Sequence, residues 1–114
     1  MNEPGNARRC VEIVNSYGLH MRPAAKFVKL ASSFQSDVWV DHQGTRANGK
    51  SIMDVATLAA KCGAALDLEA RGLDAEEALS ALADLVAAGF HMTDEDYRHQ
   101  APSDSGGASS ASQV

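Results

Sequence analysis

Gly18-Leu19-His20-Met21-Arg22-Pro23-Ala24-Ala25 is the stretch on which the reading of this chain turns. The turn Ser16-Tyr17-Gly18 ends a strand-like run, and a proline at the first helical position starts the next element. A histidine and an arginine stand between them. A turn that feeds a helix start leaves backbone N–H groups and the positive end of a helix dipole beside His20. An oxyanion or phosphate is stabilised in such a place, and Arg22 adds a bidentate donor. These residues read as a histidine prepared to carry a phosphoryl group.

Upstream, Arg9 to Asn15 reads as a short strand in which Val11 and Ile13 alternate with Glu12 and Asn15. Residues 1–8, with Pro4 and Gly5, read as a loose N-terminus. Downstream, Met21 to Ser33 reads as a helix. Its apolar stripe is Ala24, Phe27, Val28 and Ala31, with Lys26 and Lys29 solvated off it. Val38-Trp39-Val40-Asp41 alternates as a strand with Trp39 on the outer face of the sheet. Gly44, after the turn residue His42, leads through a hairpin into an antiparallel partner at Thr45 to Asn48.

A second helix is expected from Ile52 to about Lys61. Ser51 is its N-cap, Asp54 its acidic capping-box partner and Gly63 its stop. Ala65-Leu66-Asp67-Leu68-Glu69-Ala70-Arg71 has strict period-two alternation, with Leu66, Leu68 and Ala70 toward the core and Asp67, Glu69 and Arg71 in water. Asp74 and Glu77 read as a capping box for a last helix with the stripe Leu79, Leu82, Ala83 and Val86, ended by Gly89. From His91 the chain is charged and then a Ser/Gly/Ala tract, a composition expected to leave 91–114 a disordered polar tail.

Composition narrows the functional classes. With 114 residues, one small domain at 9–90 is expected. A net charge of −5 argues against a general nucleic-acid binder. No apolar run is long enough to span a bilayer, and the N-terminus has no apolar core for a signal peptide, so a cytoplasmic protein without membrane insertion is expected. Cys10 and Cys62 have no metal spacing and read as reduced, partly buried thiols. His91, Asp94, Asp96 and His99 have ligand chemistry, but in a polar tail no metal site is expected.

The order strand, helix, strand, strand, helix, strand, helix is most economically an α+β fold: a four-stranded, mainly antiparallel sheet covered on one face by three helices. At this point Gly18-Leu19-His20-Met21-Arg22-Pro23-Ala24-Ala25 and Gly49-Lys50-Ser51-Ile52-Met53-Asp54-Val55 resemble the two signature segments of the HPr family. These are the histidine-containing phosphocarriers of the bacterial phosphoenolpyruvate-dependent phosphotransferase system. The resemblance implies an open-faced β-sandwich, βαββαβα. It implies a carrier rather than an enzyme, acting as a monomer with no cofactor beyond the phosphoryl group held covalently. Enzyme I would supply that group to Nδ1 of His20, with Arg22 holding it, and enzyme IIA domains would receive it. Ser51 matches the serine modified by the HPr kinase/phosphorylase in some members. Met21, Ala24, Lys50, Ile52 and Met53 are the expected docking residues.

Two residues depart from the family pattern. Tyr17 stands where a small polar residue is usual, and Asp54 puts a carboxylate one turn from Ser51. A histidine before a helix is by itself most often a surface or capping residue, and Ser51 is first of all an N-cap. The alternative reading is a regulatory binding protein of the same fold, from a nitrogen-related or catabolite-control branch, acting through its phosphorylation state. An excised domain of a larger phosphotransferase polypeptide is a third.

Overall fold

The computed structural model describes residues 6–92. Four strands form one sheet: β1 (Asn6–Glu12), β2 (Asp37–His42), β3 (Thr45–Asn48) and β4 (Ala65–Arg71). Three helices, α1 (Met21–Ser32), α2 (Ile52–Thr57) and α3 (Ala75–Ala87), are followed by a 3₁₀ turn, Gly89–His91. The element order through α3 is βαββαβα, as expected. The sheet order is β1-β4-β2-β3, and every pair is antiparallel.

The core lies between the helices and one face of this sheet. Val38, Val40, Leu66, Leu68 and Ala70 from the strands meet Phe27, Ala31, Leu79, Leu82 and Val86 from the helices, all essentially without solvent contact. Burying each large aliphatic or aromatic side chain there is worth about 1.5–3 kcal/mol. The helical stripes expected from the spacing are the faces that are buried.

Several boundaries differ from the sequence-based expectations. β1 begins at Asn6 rather than Arg9, because Asn6, Ala7 and Arg8 pair with Arg71, Ala70 and Glu69. The loose N-terminus expected over 1–8 therefore gives way to strand at residue 6, while residues 1–5 lie outside the described residues. α2 ends at Thr57, well short of Lys61, and Ala59 turns into a left-handed conformation (φ 51°). That exit lets Ala60 offer its carbonyl to the Leu19 N–H, 2.7 Å away. His91 closes the 3₁₀ turn and Met92 packs against the core, so the expected tail does not begin at His91. Most of that tail, 93–114, lies outside the described residues. Both cysteines are exposed rather than partly buried.

The face of the sheet away from the helices holds a correction of larger consequence. Alternation sends Glu69 to water, yet it is only 3% exposed. It does lie on the outer face, but Arg8 (3.2 Å), Arg46 (2.6 Å) and Arg71 (3.2 Å) close over it. Arg46 also grips Asp41 through two contacts of 2.9 Å. The guanidinium carbons of Arg46 and Arg71 stand 5.3 and 5.5 Å from the centre of the Trp39 ring, which is on this outer face as expected. Cross-strand register assembles the group: Glu69 is opposite Arg8 on one side and Trp39 on the other.

Asp74 is the N-terminal flanking residue of α3, but its side chain does not cap that helix. It accepts instead from the Gln35 N–H (2.8 Å), the Ser36 N–H (2.9 Å) and the Ser36 hydroxyl. The expected Asp74–Glu77 capping box is thus replaced by a latch between two loops. The Ser36 hydroxyl is the leading reason that the Asp74 carboxyl sits below its ordinary pKa. Hydrogen bonding from Arg46 does the same, foremost among several causes, for Glu69. As pH falls, the unfolded chain therefore takes up protons at these two carboxyls before the folded chain does. Their stabilisation is complete above the ordinary carboxylate values of 4.5 and 3.8 and is lost as pH drops through the lower folded values. Urea midpoints are expected to fall steeply below about pH 4, and less so in Asp74→Asn, which carries one of the two groups no longer.

Candidate functional site

The loop before α1 is built by a buried asparagine and a glycine. Asn15, 7% exposed, donates from Nδ2 to the Gly18 carbonyl at 2.7 Å, and the Gly18 N–H returns to the Asn15 carbonyl at 3.1 Å. Gly18 has φ +77°, and a Cβ there would lie 2.5 Å from the Ala60 carbonyl oxygen. Leu19 follows, buried, with its N–H on that same carbonyl. The exit of α2 and the entry to α1 are thereby locked together. The sequence pattern reads Asn15 as the polar end of the first strand. The signal that could have identified it is the Asn-x-x-Gly spacing, in which an asparagine side chain closes a turn.

His20 flanks α1 in an extended conformation (φ −120°, ψ −163°), and its carbonyl accepts the first helical bond from the Ala24 N–H at 2.8 Å. Its side chain makes no capping hydrogen bond to the helix. The ring is half-buried, with Nε2 closed off from solvent. Burial lowers the imidazole pKa, which favours a neutral, nucleophilic ring near neutral pH. The Tyr17 ring stands edge-on to it, centroids 6.4 Å apart at 81°. Arg22, half-buried, is in the first turn of α1. Pro23 occupies the third helical position, not the first as expected. It costs no hydrogen bond there, since the first helical N–H to be paired belongs to Ala24.

The second segment begins α2. Ser51 Oγ accepts from the Asp54 N–H at 3.3 Å, the N-cap the sequence implies. The Asp54 carboxylate does not close the box on the Ser51 N–H. It reaches the Asn48 N–H at 3.3 Å, while the Ser51 N–H donates to the Asn48 carbonyl at 3.1 Å. Lys50 and Lys26 are tethered rather than solvated: their ammonium groups donate to the carbonyls of Phe34 (2.8 Å) and Phe90 (3.0 Å).

Of the expected docking residues, Met21 (54% exposed), Ile52 (37%) and Met53 (66%) are open to solvent. Ala24 is not, because it is fully buried under α1 and cannot meet a partner. Among the described residues no group of three or more His, Cys, Asp or Glu is placed to hold a metal ion, and no helix is long and apolar enough to cross a membrane.

Comparison with known proteins bears directly on this arrangement. A family model described as "PTS HPr component phosphorylation site" matches residues 7–88. A phosphocarrier protein HPr of Neisseria meningitidis (serogroup A) is 47% identical over 79 residues, covering 69% of this chain and 89% of the relative. Among solved structures, HPr-C-His of Thermoanaerobacter tengcongensis superposes with a TM-score of 0.72 at 42% identity, covering 76% of this chain and 98% of that one. The Bacillus subtilis catabolite-repression protein Crh is similar at a TM-score of 0.60 and 43% identity, covering 69% and 91%. The family model and these relatives place the chain among the phosphocarrier proteins of the phosphotransferase system. The chain belongs to the HPr family. The catabolite-control alternative is not better supported.

Proposed function

We propose that the phosphoryl group is carried on Nδ1 of His20, received from enzyme I and handed to an enzyme IIA domain. The observation that carries this reading is the set of the imidazole. Nε2 is turned inward, which leaves Nδ1 as the ring nitrogen for attack on phosphorus. In acceptance, the Nδ1 lone pair forms the new N–P bond as the donor's bond to phosphorus breaks, and the electron pair leaves with the donor. In onward transfer the same exchange runs with His20 as the leaving group. The first turn of α1 and the Arg22 guanidinium supply positive charge to the phosphoryl oxygens in both directions. The phosphoryl group travels on the chain itself from one protein to another, so the chain acts as a carrier and not as an enzyme. It needs no cofactor, since the cargo is covalently held.

Met21, Ile52 and Met53 form the apolar surface on which enzyme I and the IIA domain dock in turn, with Lys50 holding its edge in place. A cytoplasmic monomer suits that role. Its carrier domain runs from β1 to the 3₁₀ turn, with neither nucleic acid nor membrane as a partner. Incubation with phosphoenolpyruvate, magnesium and a general enzyme I tests this reading. One acid-labile phosphate on the intact protein is the expected result. An acid-stable adduct, or none with the organism's own enzyme I, overturns it.

Ser51 is proposed as a regulatory site of the HPr kinase/phosphorylase, placed where a phosphate meets the α2 N-terminus. Its hydroxyl already serves the helix, and the nearby Asp54 carboxylate opposes two further negative charges. The fold tolerates the charge, and the effect falls on docking. Ser51→Asp is expected to raise the KM for phosphoryl acceptance from enzyme I roughly tenfold with little change in kcat, by like-charge repulsion at the rim of the interface. An unchanged KM rejects Ser51 as a control point.

A further inference from the structure

Tyr17 has no part in the family role set out above, yet it is the aromatic residue placed against the reactive ring. Two-thirds of it (67%) is in solvent. Its position does not depend on its own burial. The backbone delivers it: the Asn15–Gly18 turn is closed by the two reciprocal hydrogen bonds of Asn15 and Gly18, and Gly18 lies hard against Ala60. Tyr17 stands in that closed turn and meets the His20 ring edge to face, the geometry aromatic rings prefer, at 6.4 Å and 81°. The inner side of the imidazole is sealed by the protein at Nε2. Tyr17 covers part of the outer side.

We propose that Tyr17 is a positioning residue that sets the lifetime of the phosphohistidine by restricting the imidazole to one orientation and limiting the approach of water. The proposal rests on His20 being the phosphoryl carrier. The loss it limits is hydrolysis. A water oxygen bonds to phosphorus, the N–P bond breaks, its electron pair returns to the imidazole, and inorganic phosphate is released. A carrier with an open ring loses its cargo between partners. A docked partner excludes water by itself, so Tyr17 acts chiefly on the free phosphoprotein. That predicts a division of effects: spontaneous hydrolysis changes, while transfer within a docked complex changes much less.

The experiment compares the wild-type chain with Tyr17→Ala and Tyr17→Phe. Each is phosphorylated with phosphoenolpyruvate and enzyme I, freed of enzyme I, and followed by intact mass as the phosphate is lost. Tyr17→Ala is expected to lose phosphate roughly threefold to tenfold faster, the span that the loss of one aromatic ring pair corresponds to, and Tyr17→Phe to match wild type. In the unphosphorylated proteins, the His20 ring-proton resonances are expected to move in Tyr17→Ala and hold in Tyr17→Phe, as an edge-on ring current requires. Phosphorylated wild type with an equal lifetime in Tyr17→Ala overturns the inference and leaves the carrier assignment intact. Slower acceptance from enzyme I with an unchanged lifetime also overturns it, since Tyr17 would then be a docking contact only. A wild-type chain that takes up no acid-labile phosphate overturns the carrier assignment, and this inference with it.

Discussion

Replacing His20 with alanine is expected to abolish phosphoryl acceptance: where wild type gains one acid-labile phosphate from phosphoenolpyruvate and enzyme I, His20→Ala gains none. The effect is total because, among the described residues, no other histidine is placed to substitute. His42 contacts the Ala65 carbonyl through Nδ1 at 3.4 Å on the far hairpin, and His91 closes the 3₁₀ turn after α3. Neither is placed at the start of a helix with an arginine two residues on. The fold is expected to survive, because the His20 side chain makes no capping hydrogen bond and its backbone role, accepting from the Ala24 N–H, is open to any residue. A melting temperature near wild type together with zero phosphate isolates the chemistry from stability. Arg22→Ala gives a graded companion result. It leaves the nucleophile but removes one source of positive charge, and a rate roughly a hundredfold lower is expected, as for deletion of one oxyanion donor. Residual acid-labile phosphate on His20→Ala would move the carrier site elsewhere.

The parts of this molecule that were legible in its sequence are those decided by neighbours along the chain. The alternation of Ala65–Arg71 and the stripe of Ala24, Phe27, Val28 and Ala31 record local periodicity, and both elements fold where the pattern puts them. The hairpin at Gly44 is likewise local, as is the N-cap at Ser51. What was not legible depends on partners distant in sequence. Glu69 obeys its alternation and still ends up covered, because β4 lies between β1 and β2 and brings arginines from three strands over one carboxylate. Asp74 has the spacing of a capping box, but the donors that claim it are on the loop at Gln35 and Ser36. The apolar run of α2 reads on to Lys61, whereas the bond between Leu19 and Ala60 stops it at Thr57.

The candidate site divides in the same way. His20, Arg22 and Ser51 announce themselves by residue type beside a helix start, and the structure sets each there. Lys50 gains its importance from a contact across the fold, and Ala24 loses its place among docking residues because it faces the core, whereas Asn15 and Tyr17 act within their own turn, on Gly18 and His20. The chemistry of the site is thus written locally, while its rigidity rests in part on a tertiary join, that of Gly18 and Leu19 to Ala60.

That rigidity makes Gly18 a position where a small change should do large damage to stability. Gly18→Ala adds one methyl group and is expected to cost about 3 kcal/mol, read as a lower urea midpoint at unchanged m-value. Two penalties combine. A φ of +77° strains any residue bearing a Cβ, for roughly 1 kcal/mol or more. The new Cβ also falls 2.5 Å from the Ala60 carbonyl oxygen and 3.0 Å from the Lys61 Cα. Both obstacles are backbone, so relief requires the 60–61 segment to withdraw and to give up the 2.7 Å bond from the Leu19 N–H. Gly44 separates the two penalties. It has φ +83° in the hairpin, but an added Cβ meets nothing within 4 Å, so Gly44→Ala bears the strain alone and should cost about 1 kcal/mol. Equal losses at the two glycines would mean that the contact with Ala60 relaxes without cost. A loss at Gly18 well above that at Gly44, accompanied by slower phosphoryl acceptance, would show that the join between the α2 exit and the α1 entry holds the histidine in its working position.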